Sequence, residues 1–142
     1  MRLRLLFLCT GNSCRSQMAE GWARHLKSEA IEVESAGIEA HGLNDRAVAV
    51  MAEAGIDITS QPSQTLDDLG DMHFDVVVTV CDNAAQNCPV FPAPARVVHQ
   101  PFDDPPRLAA DAADEEAALI HYRRVRDEIR AYVETLPESL VD

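Results

Sequence analysis

Residues 6–21 read LFLCTGNSCRSQMAEG, an apolar run that breaks into Cys9, Gly11, Asn12, Cys14, Arg15 and Ser16. A loop that leaves a strand and enters a helix aims backbone N–H groups and the helix's positive end at one point. Such a point suits a tetrahedral oxyanion. Gly11 lets the backbone approach closely. Arg15 offers a planar fork of donors to two oxyanion oxygens. Asn12 can tie the loop down through its amide. Cys9 sits in the same field, which favours its thiolate and makes it a nucleophile. Ser16 can cap the helix or hydrogen-bond the Cys9 sulfur. The candidate oxyanion-binding set is thus Gly11, Asn12, Ser13, Cys14, Arg15 and Ser16. The loop lacks the G-x4-G-K-[ST] pattern, so a nucleoside triphosphate is not its natural ligand.

A second pair of thiols, Cys81 and Cys88, sits in CDNAAQNCP. Zinc is a poor fit, because structural zinc takes cysteine pairs about two to four residues apart. Cys81 and Cys88 are further apart than that, and Cys14 belongs to the oxyanion loop. In a helix of 1.5 Å rise, the Cα atoms of Cys81 and Cys88 would lie about 10 Å apart. A disulfide needs less than about 7 Å. The bond therefore requires this segment to unwind. Asp82, Asn83, Gln86 and Asn87 make unwinding easy, and Pro89 disfavours helix at Cys88. The segment has the character of a redox switch.

The elements that must position these residues follow from the apolar pattern. Residues 3–8 read as a buried strand, 16–29 as a helix capped by Ser16, and 31–37 as a second strand. Residues 44–55 form a helix capped near Asn44 and stopped at Gly55. Residues 63–69 suggest a short helix. Residues 74–80, FDVVVTV, are β-branched and nearly all apolar, the pattern of a central strand. Residues 96–98 suggest a fourth strand, and 101–116 a Pro- and Asp-rich loop. Tyr122, Val125, Ile129, Val133 and Leu136 recur at helical spacing, marking a last helix over about 115–136. Strands alternating with helices imply an α/β fold with a parallel sheet and helices on both faces. Ligands of such sheets bind beyond the carboxyl ends of the strands, where the winding reverses. Cys9 follows the first strand and Cys81 the third.

A chain of 142 residues favours one domain, residues 1–142. The net charge of −12 argues against a nucleic-acid or anionic-membrane partner. It leaves room for a small anion, since the field of a pocket is local. The amino-terminal apolar run is too short for a signal-peptide core, and no segment approaches a membrane span. The expectation is a cytoplasmic protein, where cysteines serve catalysis or redox chemistry more often than structural disulfides. A monomer is the default for this size. A thiol-based metal sensor would bring a DNA-binding helix pair and a basic face, and neither is visible.

CTGNSCRSQMAEG, ESAGI, CDNAAQNCP, FDDP and YRRVRDEI together resemble the thioredoxin-coupled arsenate reductases of the low-molecular-weight protein tyrosine phosphatase type. The resemblance spans nearly the whole chain. It implies a flavodoxin-like fold with a four-stranded parallel sheet in the order 2-1-3-4. It also implies roles for named residues. Cys9 would attack arsenate, and Asp104 would protonate the leaving oxygen. Asp103 is the competing acid, and the residues alone do not choose between them. Cys81 and then Cys88 would carry a disulfide relay, with thioredoxin as the external reductant and no bound cofactor. Cys14 has no role in that relay. Some relatives bind a potassium ion through residues matching Asn12, Glu20, Ser35 and an aspartate. Gln64 stands where that aspartate aligns, and an amide brings no charge. The alternative function is a phosphatase that hydrolyses aryl phosphates through a Cys9 phospho-intermediate. It would have no use for Cys81 and Cys88.

Overall fold

The structure is a computed structural model that describes residues 2–80 and 95–140. Four strands, β1 (Leu3–Cys9), β2 (Ile31–Gly37), β3 (Val76–Thr79) and β4 (Arg96–His99), form one sheet. All pairings are parallel and the order is β2-β1-β3-β4. This is the expected flavodoxin-like arrangement. The winding reverses between β1 and β3, whose register runs from Leu5 opposite Val76 to Leu8 opposite Thr79. Cys9 therefore ends β1 beside the end of β3, where Val80 N–H donates to the Leu8 carbonyl at 3.0 Å.

The two-residue period of β1 divides its side chains between two cores. Leu5 and Phe7 join Val33, Val76 and Val78 beneath the helices. Those helices are α1 (Arg15–Leu26), α2 (Asp45–Glu53), α3 (Pro105–Ala109) and α4 (Glu115–Glu134). Leu6, Leu8, Ala36, Phe74 and Val77 form the opposite core, with Leu66, Leu69 and Ala95 packed against it. Along α4, Tyr122, Val125, Ile129 and Val133 are all buried, as their spacing requires. Burying each such aliphatic side chain contributes about 1.5–3 kcal/mol, which outweighs the helix propensity of any one residue. Asn44 caps α2 by accepting from the N–H groups of Arg46 and Ala47, and Gly55 follows that helix with φ +84°. Among the described residues no helix is long and apolar enough to cross a membrane.

Three local expectations need correction. Helix α1 starts at Arg15, with Cys14 at the N-cap and no capping side chain, so Ser16 lies inside the helix. It ends at Leu26, short of residue 29. Residues 63–69 do not form a helix. Thr65 pairs with Gly37 in a parallel bridge, and only Asp67–Leu69 make a 3-10 turn. Pairing with the sheet holds this backbone extended and overrides its helical pattern. Conversely, the loop expected at 101–116 contains α3. Asp104 is extended, and Pro105 and Pro106 occupy the first turn, where a missing N–H costs nothing.

Gly37 pairs with Cys9 at the end of the sheet. A Cβ there would lie 2.5 Å from the Thr10 carbonyl oxygen, 2.7 Å from that of Glu39 and 2.9 Å from the Asn12 nitrogen. All three are backbone atoms, so none can move aside cheaply. We expect Gly37→Ala to destabilise the protein by about 1–3 kcal/mol, read as a lower urea midpoint. An unchanged midpoint would mean that this contact is not tight.

Candidate active site

The loop between Cys9 and Arg15 owes its shape to what holds its carbonyls. Glu39 N–H donates to the Thr10 carbonyl at 3.1 Å, His41 N–H to Gly11 at 3.0 Å, and Asn44 N–H to Ser13 at 3.0 Å. The Asn12 carbonyl accepts from Ser63 Oγ at 2.8 Å and from Gln17 Nε2 at 3.1 Å. Four consecutive carbonyls are thus tied to surrounding segments. In a trans peptide the next residue's N–H points opposite the carbonyl. The N–H groups of residues 11–14 are therefore turned away from those partners, as an anion-binding nest needs.

Asn12 makes this path possible. Its φ is +47°, a left-handed conformation that asparagine tolerates better than most residues. It is fully buried, and its amide is used on both sides. Nδ2 donates to Ser16 Oγ and to Ser35 Oγ, each at 2.9 Å. Oδ1 accepts from Gln64 N–H at 2.8 Å and from Gln17 Nε2 at 3.1 Å. A Cβ at Gly11 would come 2.4 Å from Nδ1 of the exposed His41 side chain, which would have to shift to admit it.

A cavity of about 350 Å³ opens on this loop. Its lining includes Cys9, the loop through Arg15, His41, Asp104 and Pro106. Arg15 is buried and already oriented. Its Nη1 donates to the Phe102 carbonyl at 3.0 Å and to the Val80 carbonyl at 3.3 Å, and its Nη2 lies 3.6 Å from Asp104 Oδ1. Asp103, in contrast, is exposed and pairs with Arg124 at 2.9 Å. The geometry thus separates the two acids that the sequence left side by side. Cys14 is buried, as is Ser16.

Asn12, Glu20 and Ser35 also come together. Ser35 Oγ donates to Glu20 Oε1 at 2.5 Å, and Arg24 Nε donates to Glu20 Oε2 at 2.8 Å. Burial pushes the Glu20 carboxyl above its ordinary range, against the hydrogen bonds from Ser35 and Arg24. Cys81 and Cys88 lie outside the described residues.

Sequence reasoning missed several supports of the loop. Gln17 is fully buried, donating to the Asn12 carbonyl and to Pro62 O, while Gln61 Nε2 donates back to the Gln17 amide at 2.9 Å. Ser63 and Asn44 secure loop carbonyls from distant positions. None of these carries a spacing signal, since each reaches the loop through tertiary contact. Helical periodicity offers one hint. Gln17 lies three residues after Cys14, about one helical turn on, in a helix whose first turns are buried.

The model of the low molecular weight phosphotyrosine protein phosphatase family matches residues 4–142. An arsenate reductase of Halalkalibacterium halodurans is 50% identical over 135 residues, covering 95% of each chain. One from Bacillus subtilis is 50% identical over 125 residues, covering 88% of each. A solved arsenate reductase in a phosphate-binding state superposes with a TM-score of 0.77 at 32% identity, covering 99% of this chain and 100% of that one. The chain belongs to the low molecular weight phosphotyrosine protein phosphatase family, among the arsenate reductases of that family.

Proposed function

We propose that this protein reduces arsenate to arsenite, with Cys9 as the nucleophile. One observation carries the reading: Cys9, the nest of residues 11–14, Arg15 and Asp104 share a single cavity. The half-identical arsenate reductases support the choice of substrate. Arsenate is a tetrahedral oxyanion, and its equatorial oxygens match convergent N–H groups and a guanidinium fork. Arg15 is held by two carbonyls before any anion arrives, so little reorganisation opposes the reaction.

The Cys9 thiolate attacks arsenic, and Asp104 gives a proton to the departing oxygen, which leaves as water. The Cys81 thiolate then attacks the Cys9 sulfur. The electron pair of the sulfur–arsenic bond passes to arsenic, which leaves as arsenite, and a Cys9–Cys81 disulfide forms. Cys88 attacks the Cys81 sulfur and releases Cys9 as thiolate. The resulting Cys81–Cys88 disulfide is reduced by the dithiol of thioredoxin. Each step after the first is thiolate attack on sulfur; the Cys81 attack expels arsenite, and the attacks by Cys88 and by thioredoxin expel a thiolate.

Cys14 stands aside from this relay. Its burial, and next the Asp104 carboxylate, push its thiol far above the ordinary range, while Arg15 opposes them. At neutral pH it stays protonated and is a poor nucleophile. The family match favours a second reading, hydrolysis of aryl phosphates through a Cys9 phospho-intermediate. That chemistry uses the same loop and no relay.

NADPH-coupled arsenate turnover with thioredoxin and thioredoxin reductase separates the two. We expect sustained turnover in the wild type and at most one turnover in Cys88→Ser. No arsenate turnover, with aryl-phosphate hydrolysis indifferent to Cys88, would favour the phosphatase. The thiols are also distinguishable by alkylation. In a Cys81→Ser/Cys88→Ser protein at neutral pH, we expect iodoacetamide to modify Cys9 and spare Cys14, as read by peptide mass spectrometry. Equal modification of both would contradict the assignment of Cys14 as inert.

A further inference from the structure

Glu20 is a carboxylate at 1% exposure, one hydroxyl away from the loop that holds Cys9. Its Oε1 accepts a hydrogen bond from the Ser35 hydroxyl at 2.5 Å, and Ser35 Oγ in turn accepts from Asn12 Nδ2 at 2.9 Å. The conformation of Asn12 sets the whole nest, so this chain of contacts ties Glu20 to the anion site. Burial disfavours the ionised carboxyl, and a compensating positive charge is what keeps it ionised there.

The resemblance offers a potassium ion for that purpose, and the residues here do not fit one. A monovalent cation takes its ligands as oxygen lone pairs. Asn12 Oδ1 already accepts from Gln64 N–H and Gln17 Nε2. Asn12 Oδ1 is thereby filled, whereas Ser35 Oγ and each Glu20 oxygen have one donor apiece and leave the decision to the fourth position. Gln64, at the position of the family aspartate, points its Nε2 donor at the Ser35 carbonyl, 2.9 Å away, and at Glu34 Oε1, 3.3 Å away. An N–H donor there repels a cation. The positive charge comes from the chain instead. Arg24 lies one helical turn beyond Glu20 and donates Nε to Glu20 Oε2 at 2.8 Å. Its Nη2 is fixed by the Val33 carbonyl at 3.1 Å and by Glu34 Oε2 at 3.2 Å. A guanidinium held by three acceptors across α1 and β2 is preset to face the carboxylate.

We propose that Arg24 is the built-in counter-ion of Glu20, a positioning residue that keeps the oxyanion loop in its binding form without a bound monovalent cation. It acts through Glu20, Ser35 and Asn12, and touches no reacting atom. The inference rests on the proposed oxyanion site only for its binding readout; its stability readout stands apart from that reading.

The test compares wild type, Arg24→Gln and Arg24→Lys in potassium chloride and in choline chloride at matched ionic strength. Two quantities are read: the thermal midpoint and the Kd for inorganic phosphate. The wild type should show the same midpoint and the same Kd in both salts. Arg24→Gln should melt lower and bind phosphate about tenfold more weakly in choline chloride. Arg24→Lys, which restores the charge, should recover most of both. A wild type stabilised by potassium over choline would overturn the proposal, as would Arg24→Gln with wild-type midpoint and affinity in choline chloride. Failure of Arg24→Lys to recover either quantity would also overturn it, because charge would then not be what matters. A wild type that binds no phosphate, yet shows the expected midpoints in all three proteins, would count against the oxyanion site and leave the counter-ion standing.

Discussion

The site depends on one residue held in an uncommon backbone conformation. Asn12 sits at φ +47°, which costs about 1–3 kcal/mol for a residue with a side chain. Six hydrogen bonds to its amide and carbonyl oppose that cost. Two of them share the Gln17 Nε2 donor, and at a net of about 0.5–1.5 kcal/mol per bond the set is on the scale of that cost. Their partners come from α1, β2 and the 61–64 segment, so the conformation is set by tertiary structure. This explains the buried glutamines and hydroxyls around a loop whose own chemistry needs only a thiol and a guanidinium. Those groups exist to fix a backbone.

Anion binding by a chain of net charge −12 is consistent with the same arrangement. Exposed charges are screened over about 8–10 Å at physiological salt, whereas buried donors are screened far less. Much of the acidic surface is also paired. Glu53 meets Arg123 at 2.9 Å and Arg126 at 3.2 Å, and Glu115 meets Arg46 at 2.9 Å. On the proposed reading, what an incoming oxyanion meets is local: the N–H groups of the loop, the positive end of α1 and Arg15. The uncapped start of α1 belongs to this design. A capping side chain would compete with the anion for the first N–H groups of the helix.

The strands were legible because strand pattern acts over short stretches, and their order because the motifs resemble a family with that order. Residues 3–9 and 76–79 are apolar enough to be central strands, and helices between them force parallel pairing. Cys9 and Arg15 were legible because their spacing belongs to one loop. Asp104 was not separable from Asp103 by sequence, since both precede proline in a turn-like run. Three-dimensional placement distinguishes them, one in the cavity and the other on Arg124. Ser16 was misread as the cap because a serine before an apolar helix ordinarily is one. Here the helix starts a residue earlier, and the hydroxyl accepts from Asn12. The short helix expected at 63–69 failed for a similar reason. Backbone pairing of Thr65 and the contacts of Ser63 and Gln64 to Asn12 claim that segment for the loop.

The most direct measurement is a single-turnover experiment without any reductant. Fully reduced protein is mixed with arsenate, arsenite is quantified, and free thiols are counted after denaturation. We expect one arsenite released per chain and two thiols lost from the four, because electrons can come only from the protein's own cysteines. No arsenite, with all four thiols intact, would contradict reduction by this chain.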